Sequence, residues 1–358
     1  METLLEYKCP SCGGALSFDS GLQMLKCPYC ETELEVETLR QFDESVKNVR
    51  EDDMSWENQT GGWQEGEADT LRGYVCASCG GEIVTDATTA ATSCPYCANP
   101  VVMPRQVSGI LRPDCIIPFQ LDKNAAIAAL EKHLKGKPLL PKSFKDENHI
   151  REVKGVYVPF WLFDSHAHGQ ARYHGTRTRM WSDSRYHYTE TSHFSIRRAG
   201  RMGFSGVPVD GSSKMANDLM ESLEPFDASR AVPFQTAYLA GFYADKYDVD
   251  AQSCAPRAND RIRTSMDQSL RNTVIGYTGV ITEHCSVQLS NAKSRYALYP
   301  VWLLATRYKD QPYLFAMNGQ TGKLVGDLPI DWGAFWKWWG IIAAGVSALC
   351  ALVYWFLW

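Results

Sequence analysis

The sequence predicts an α+β protein: two small four-cysteine modules, a mixed α+β domain with antiparallel sheets, and one C-terminal transmembrane helix. Three observations predict it. Eight of the twelve cysteines fall into four C-x2-C pairs, apolar runs of helical and strand period alternate through the middle of the chain, and the last 21 residues carry no charged side chain. The boundaries that follow are 1–36 for the first module, 37–73 for an acidic helix and linker, 74–103 for the second module, 104–331 for the α+β domain and 332–358 for the anchor.

The two modules are copies at an offset of 67 residues. YKCPSCGGALSFDSGLQMLKCPYC from Tyr7 realigns without a gap on YVCASCGGEIVTDATTAATSCPYC from Tyr74. Each has the spacing C-x2-C-x14-C-x2-C. Two residues between cysteines let one tight turn present both sulfurs to a single metal, and four thiolates close a tetrahedral shell around Zn²⁺ with no vacant position. Gly13 and Gly80 follow the second cysteine of each first pair, where φ > 0 would let backbone N–H groups point back at sulfur. The expected metal ligands are Cys9, Cys12, Cys27 and Cys30 in one module and Cys76, Cys79, Cys94 and Cys97 in the other. About 25 residues bury too little apolar surface to fold alone, so two structural zinc ions would supply the stability, about 10–16 kcal/mol each in comparable peptides.

Between the modules, residues 31–72 hold thirteen acidic and four basic side chains, read as a short charged helix followed by a flexible, solvated spacer. In the α+β domain, Asp122 is the expected N-cap of a helix carrying Ile127, Leu130 and Leu134 and stopping at Gly136. A second helix is expected from Ser213 to just before Pro225, with Met215, Leu219, Met220 and Leu223 inward. A third is signalled by Ile262, Met266, Leu270 and Val274. VYVPFWLF, residues 156–163, is apolar on both faces and belongs in the middle of a covered sheet. LYPVWLLA, residues 298–305, echoes it, so the domain reads as two related β halves. AMNGQTGKLVGDLP reads as a hairpin, with Asn318-Gly319 and Thr321-Gly322 supplying the φ > 0 positions.

The anchor begins near Trp338. Residues 338–358 would cover about 30 Å as a helix, the hydrocarbon thickness of a bilayer. Six of the eleven tryptophans lie in the last 27 residues, at both ends of the run, as an aromatic belt requires. Lys337 precedes the span and METLLEYKCP carries no secretory signal, so a tail-anchored protein with its bulk in the cytoplasm is expected. Cysteines at metal spacing fit that reducing compartment. Cys115, Cys254 and Cys285 are expected as buried thiols, and Cys350 as a small apolar residue of the span.

The formal charge of −5 excludes a whole-molecule field that would draw the chain to nucleic acid or anionic lipid. Locally the balance differs. From Arg172 to Arg201 seven arginines face Asp183 and Glu190, interleaved with Tyr173, Trp181, Tyr186, Tyr188 and Phe194, a composition shared by nucleic-acid surfaces, lipid surfaces and plain exposed hairpins. Asp164, His166, His168 and His174 form the one histidine cluster, unaccompanied by an H-E-x-x-H helix. GQTGKL at Gly319 lacks phosphate-loop spacing and GFSGV at Gly203 lacks the nucleophile-elbow pattern. No enzyme is expected; a hydrolase built on His166 or His168 is the outside alternative.

The tandem CPSCGG and CASCGG modules resemble zinc ribbons over about 7–33 and 74–101. Together with GVYVPFWLFD, YLFAMNGQTGKLVGDLP and the tail helix, they make nearly the whole chain resemble a bacterial family of membrane-anchored zinc-ribbon proteins. Its members are often labelled after the transcription factor IIB zinc ribbon or as a replication-restart helicase, and some resemble partners of SPFH-domain (flotillin-like) membrane proteins. The helicase label conflicts with a chain this short that has no phosphate loop. Closed metal sites, a tail anchor and the absence of a catalytic set point to a non-enzymatic adaptor, bound to membrane lipid through 338–358 and to a protein partner, for which the resemblance suggests an SPFH-domain membrane protein. A nucleic-acid ligand ranks below it.

Overall fold

The computed structural model describes residues 9, 14–37, 52–58, 61–63, 66–89, 91, 93–99, 102–105, 111–141, 144, 150, 152–309 and 311–357. Cys12, Gly13 and residues 38–51 of the expected acidic helix lie outside them. The protein is mixed α+β, with mostly antiparallel sheets and a long apolar C-terminal helix. Its chain divides into two compact units, Met1–Ser55 with Asp164–Ser205 and Asn259–Ala292, and Trp56–Phe163 with Gly206–Ala258 and Lys293–Trp358.

In the first unit the N-terminal module forms its own small sheet. Ser17–Asp19, Met24–Lys26 and Glu33–Leu34 pair antiparallel in that order. Asp19 closes the first turn by accepting the N–H groups of Gly21 (2.8 Å) and Leu22 (3.1 Å). The rest of this unit is built on strands of a length the sequence does not announce: Lys154–Ser182 has 29 residues, His187–Asp210 has 24 and Gly279–Tyr308 has 30. The first two form a hairpin turned at 183–186, where Asp183 N–H donates to the Tyr186 carbonyl (3.0 Å).

Beyond Phe163 the strand alternates. Ser165, Ala167, Ala171 and Tyr173 are buried, while His166 and Gln170 point outward. The buried face is small because a helix lies on it. A Cβ at Gly169 would overlap Met266, and Ile262, Met266 and Leu270, one helical stripe, are all buried. Tyr173 Oη donates to Asp267 Oδ1 (3.0 Å), fixing the strand to that helix.

The second unit contains the doubly apolar 156–163 run expected at the middle of a covered sheet. Its strand order is Val232–Pro233, Cys115–Ile116, the 293–308 part of the last long strand, the 154–163 part of the first, Tyr243–Asp245, Glu82–Asp86, Leu71–Cys76 and Val102–Arg105. Val156, Val158, Phe160 and Leu162 enter one apolar cluster and Tyr157, Trp161 and Phe163 another, so this strand is covered on both faces as its composition predicts. Each such side chain contributes about 1.5–3 kcal/mol by leaving water. Tyr243–Asp245 lies between the halves of this sheet, parallel to Val156–Tyr157 and antiparallel to Ile83–Val84.

The helix expected after Asp122 runs Lys123–Leu134, with Asp122 accepting from Ala125 N–H (2.8 Å) and Gly136 at φ +77°. The second helix is shorter than expected, Asn217–Ser222. Its start is delayed because Ser212 donates to Asp245 (2.5 Å) and Ser213 to Asp248 (2.5 Å), which holds 212–214 in a turn. Leu219 is only partly buried, while Met215, Met220 and Leu223 are buried as expected. The third is longer, Ala251–Asn272, and ends before Val274. In the hairpin of Gln311–Asn318 and Leu324–Gly326, Gly322 has φ +78°, but Asn318 and Gly319 do not have positive φ. Asn318 is instead fully buried, its side chain accepting from Gln320 and Thr321 N–H and donating to the Leu223 and Pro225 carbonyls. Gly319 is needed for space, since a Cβ there would lie 2.6 Å from Phe119.

The C-terminal helix, Trp332–Leu357, is N-capped by Asp331, which accepts from Gly333 N–H (2.9 Å). None of its residues is buried, and among the described residues it is the one helix long and apolar enough to cross a membrane. Cys350 lies on its exposed surface. Cys115 and Cys254 are buried as expected; Cys285 is half-buried, on a strand whose outer face meets solvent.

Candidate metal centres

The four sulfurs of Cys76, Cys79, Cys94 and Cys97 lie within 4.8 Å of one another. Cys76 and Cys97 are 3.7 Å apart, Cys79 and Cys94 3.6 Å. A disulfide needs about 2.05 Å. A tetrahedral shell with metal–sulfur bonds of about 2.3 Å has edges of about 3.8 Å, so the spacing fits one shared ion. Among the described cysteines there is no disulfide. In the first module Cys9, Cys27 and Cys30 form the corresponding cluster, with Cys9 and Cys30 3.6 Å apart. The expected fourth ligand, Cys12, is outside the described residues.

The backbone shows why two residues separate each pair. Cys76 N–H donates to the Gly81 carbonyl (2.9 Å) and Gly80 N–H returns to the Cys76 carbonyl (2.8 Å), closing a knuckle with Gly80 at φ +68°. The same knuckle is closed at Cys94 by Ala98 (3.1 Å) and Asn99 (2.8 Å), and at Cys27 by Glu31 (2.9 Å) and Thr32 (2.9 Å). Ala98 and Glu31 both sit at φ +58°. No local signal marks these two left-handed positions, because neither residue is one that favours them.

Burial opposes ionisation at Cys76, but the N–H groups of Cys79 and Ser78 outweigh it and bring the thiol down to about 7. Burial pushes the Cys79 and Cys94 thiols up. Loading a divalent ion must therefore displace protons from sulfur, and acid favours release. Lys154 stands beside this cluster, its ammonium donating to the Ser93 carbonyl (2.9 Å) and to the Ser93 hydroxyl. Its charge would offset part of the negative charge that four thiolates carry around a divalent ion.

The second cluster is embedded in apolar packing. Cys76, Cys94 and Tyr96 belong to the same core cluster as Val156, Phe160 and Tyr299. Burial holds the Tyr96 phenol well above its usual range, with Asp245 beside it adding to the effect. Asp245 is raised to about 7 by burial, against the opposing hydrogen bond from Ser212.

Bacillus subtilis (strain 168) has a similar protein, the uncharacterized protein YdjG, 35% identical over 350 residues that cover 98% of this chain and 97% of the relative. The chain belongs to the YdjG family. No family model matches it, and no solved structure matches it significantly.

The other sequence candidates take separate places in this YdjG-family chain. His166 and His168 share a strand face, as their spacing requires, but the cluster goes to different partners. Asp164 accepts from Ser205 (3.2 Å), the His166 carbonyl from Ser290 (3.2 Å), and His174 Nε2 lies 2.8 Å from His193 Nδ1. Among the described residues, only the cysteine clusters gather three or more ligand atoms around one point. The arginines and aromatics of 172–201 line the long hairpin of the first unit. Arg172 pairs with Glu283 (2.7 Å) and Arg177 lies over the rings of Phe194 and Tyr277.

Proposed function

We propose that this protein is a membrane adaptor stapled by two structural zinc ions, with no active site of its own. The observation that carries the reading is the sulfur geometry of Cys76, Cys79, Cys94 and Cys97, in which four ligands surround one point and leave no coordination position for water or substrate. Cys9, Cys12, Cys27 and Cys30 hold the second ion, Cys12 standing where Cys79 stands in the repeat. The Trp332–Leu357 helix spans the bilayer, and the bulk of the chain lies in the cytoplasm, where thiols stay reduced and available to metal. The ribbons present rigid β-hairpin surfaces to a protein partner, for which an SPFH-domain membrane protein is the leading candidate.

The full chain, extracted from its native membrane in mild detergent, is expected to carry two equivalents of zinc by elemental analysis and to bring a protein partner with it. Material with far less metal, or a chain that always emerges alone, counts against the adaptor. Retention of RNA or DNA that falls steeply with salt and is lost in the R197A/R198A variant replaces it with a membrane-tethered nucleic-acid binder.

A further inference from the structure

We propose, resting on the structural-zinc reading above, that Lys154 is a positioning residue for the second cysteine centre. Its half-buried ammonium tightens the grip of Cys76, Cys79, Cys94 and Cys97 on their ion, although Lys154 lies outside the repeat that supplies those ligands.

The two copies differ in where a cation can come from. Ser93, directly before Cys94, stands where the first module has Lys26, directly before Cys27. Lys26 spends its charge on Glu33 (3.2 Å), and with side chains 41% and 42% exposed that pair is screened by water. From Cys76 to Cys97 the second module has no basic residue at all, only Glu82 and Asp86. Its cation is brought by Lys154, the first residue of the strand Lys154–Ser182. The ammonium donates to the Ser93 carbonyl (2.9 Å) and to the Ser93 hydroxyl, and it lies over the Tyr243 ring at 6.0 Å. Burial pulls this ammonium below its usual range, while the thiols of Cys94 and Cys97, together with Glu152, act in the opposite direction.

Charge balance makes such an ammonium favour the loaded site. Free thiols ionise near pH 8.5, so at neutral pH an empty site is largely protonated and close to neutral, whereas four thiolates around a divalent ion leave about −2. A cation alongside therefore stabilises the loaded form more than the empty one. The effect is larger where apolar packing excludes water, as it does around Cys94. The hydrogen bonds to Ser93 also hold the residue that leads into the Cys94 knuckle, so one side chain supplies both charge and position.

The test uses the full chain in mild detergent, carrying Cys27→Ser so that only the second centre is read, and follows zinc occupancy against free zinc set by chelator buffers. K154Q, which can still donate to Ser93 but carries no charge, should raise the free zinc at half-occupancy about 10–100-fold, the range for losing an outer-shell partner. K154R should restore most of the affinity, because it keeps the charge. Excess zinc should give each variant the circular dichroism of the parent, which separates weak binding from misfolding. Three results overturn the proposal: K154Q holding zinc as tightly as the parent, K154R falling as far as K154Q, or K154Q staying unfolded in excess zinc, which would make Lys154 a packing residue. A parent chain that takes up no zinc sinks the metal reading and the role of Lys154 with it, whereas full uptake with equal affinities sinks the role of Lys154 alone.

Discussion

The two cysteine modules share spacing, knuckle geometry and eleven coincident residues, yet they are stabilised differently. Tyr96 of the second is buried against the core, and its counterpart Tyr29 is 76% exposed. Thr85 is fully buried and its counterpart Phe18 is 53% exposed. The second module's hairpin continues into a large sheet through Tyr243–Asp245, whereas the described strands of the first pair only with each other. One sequence motif thus does two jobs. If each cluster holds an ion as proposed, the first module rests chiefly on that ion and the second on its ion together with the apolar packing around Cys76 and Cys94.

The largest expected effect separates them directly. Cys94→Ser should release one zinc equivalent and unfold the second unit, because it removes a metal bond and leaves a hydroxyl in a core position. Cys27→Ser should release one equivalent and leave the second unit's thermal transition in place. Metal analysis beside a melting curve reads both, and identical melting behaviour of the two variants would break the comparison. The ceiling on each is the metal's contribution, about 10–16 kcal/mol.

A smaller contrast lies in the paired tyrosines. Tyr96→Ala should destabilise the second unit by about 3–5 kcal/mol, as for other large aromatic truncations, and Tyr29→Ala should stay within about 0.5 kcal/mol. Denaturant unfolding in excess zinc measures both. A costly Tyr29→Ala would mean that the first module is packed as tightly as its copy.

The smallest effect sharpens the picture of what ties the second module down. Asp245, next to Tyr96, has its carboxyl raised to about 7 in the fold. The folded state therefore binds the extra proton between about pH 4 and 7, and stability falls as pH rises through that window. Asp245→Asn carries no such penalty, so its advantage over the natural chain should grow by on the order of 3 kcal/mol between about pH 5 and 8. A gap that stays flat with pH would show that the carboxyl titrates normally.

How far the sequence could be read differs between features for physical reasons. Cysteine spacing, the doubly apolar 156–163 run and the Asp122-capped helix were legible because each is a local pattern with one cause. The long strands were not. Past Phe163 the chain turns to His, Arg, Thr and small residues, and its buried face is Ser165, Ala167, Gly169 and Ala171, which shows no hydrophobic alternation because the Met266 stripe fills the space instead. The contrast between Tyr29 and Tyr96 was equally invisible. The two residues are identical in local sequence, and the strand that helps enclose one of them lies about 150 residues further along the chain, at Tyr243–Asp245.

Cys76 and Cys94 sit inside the main apolar cluster, so a metal held there, as proposed, would link the folding of the second unit to the ion. A ligand that binds only the native form adds RT ln(1 + [M]/Kd), so each tenfold fall in free metal, once the site is near saturation, removes about 1.4 kcal/mol from the whole unit rather than from one finger of it. Metal starvation would then shorten the lifetime of the entire protein, not merely disarm a protruding module.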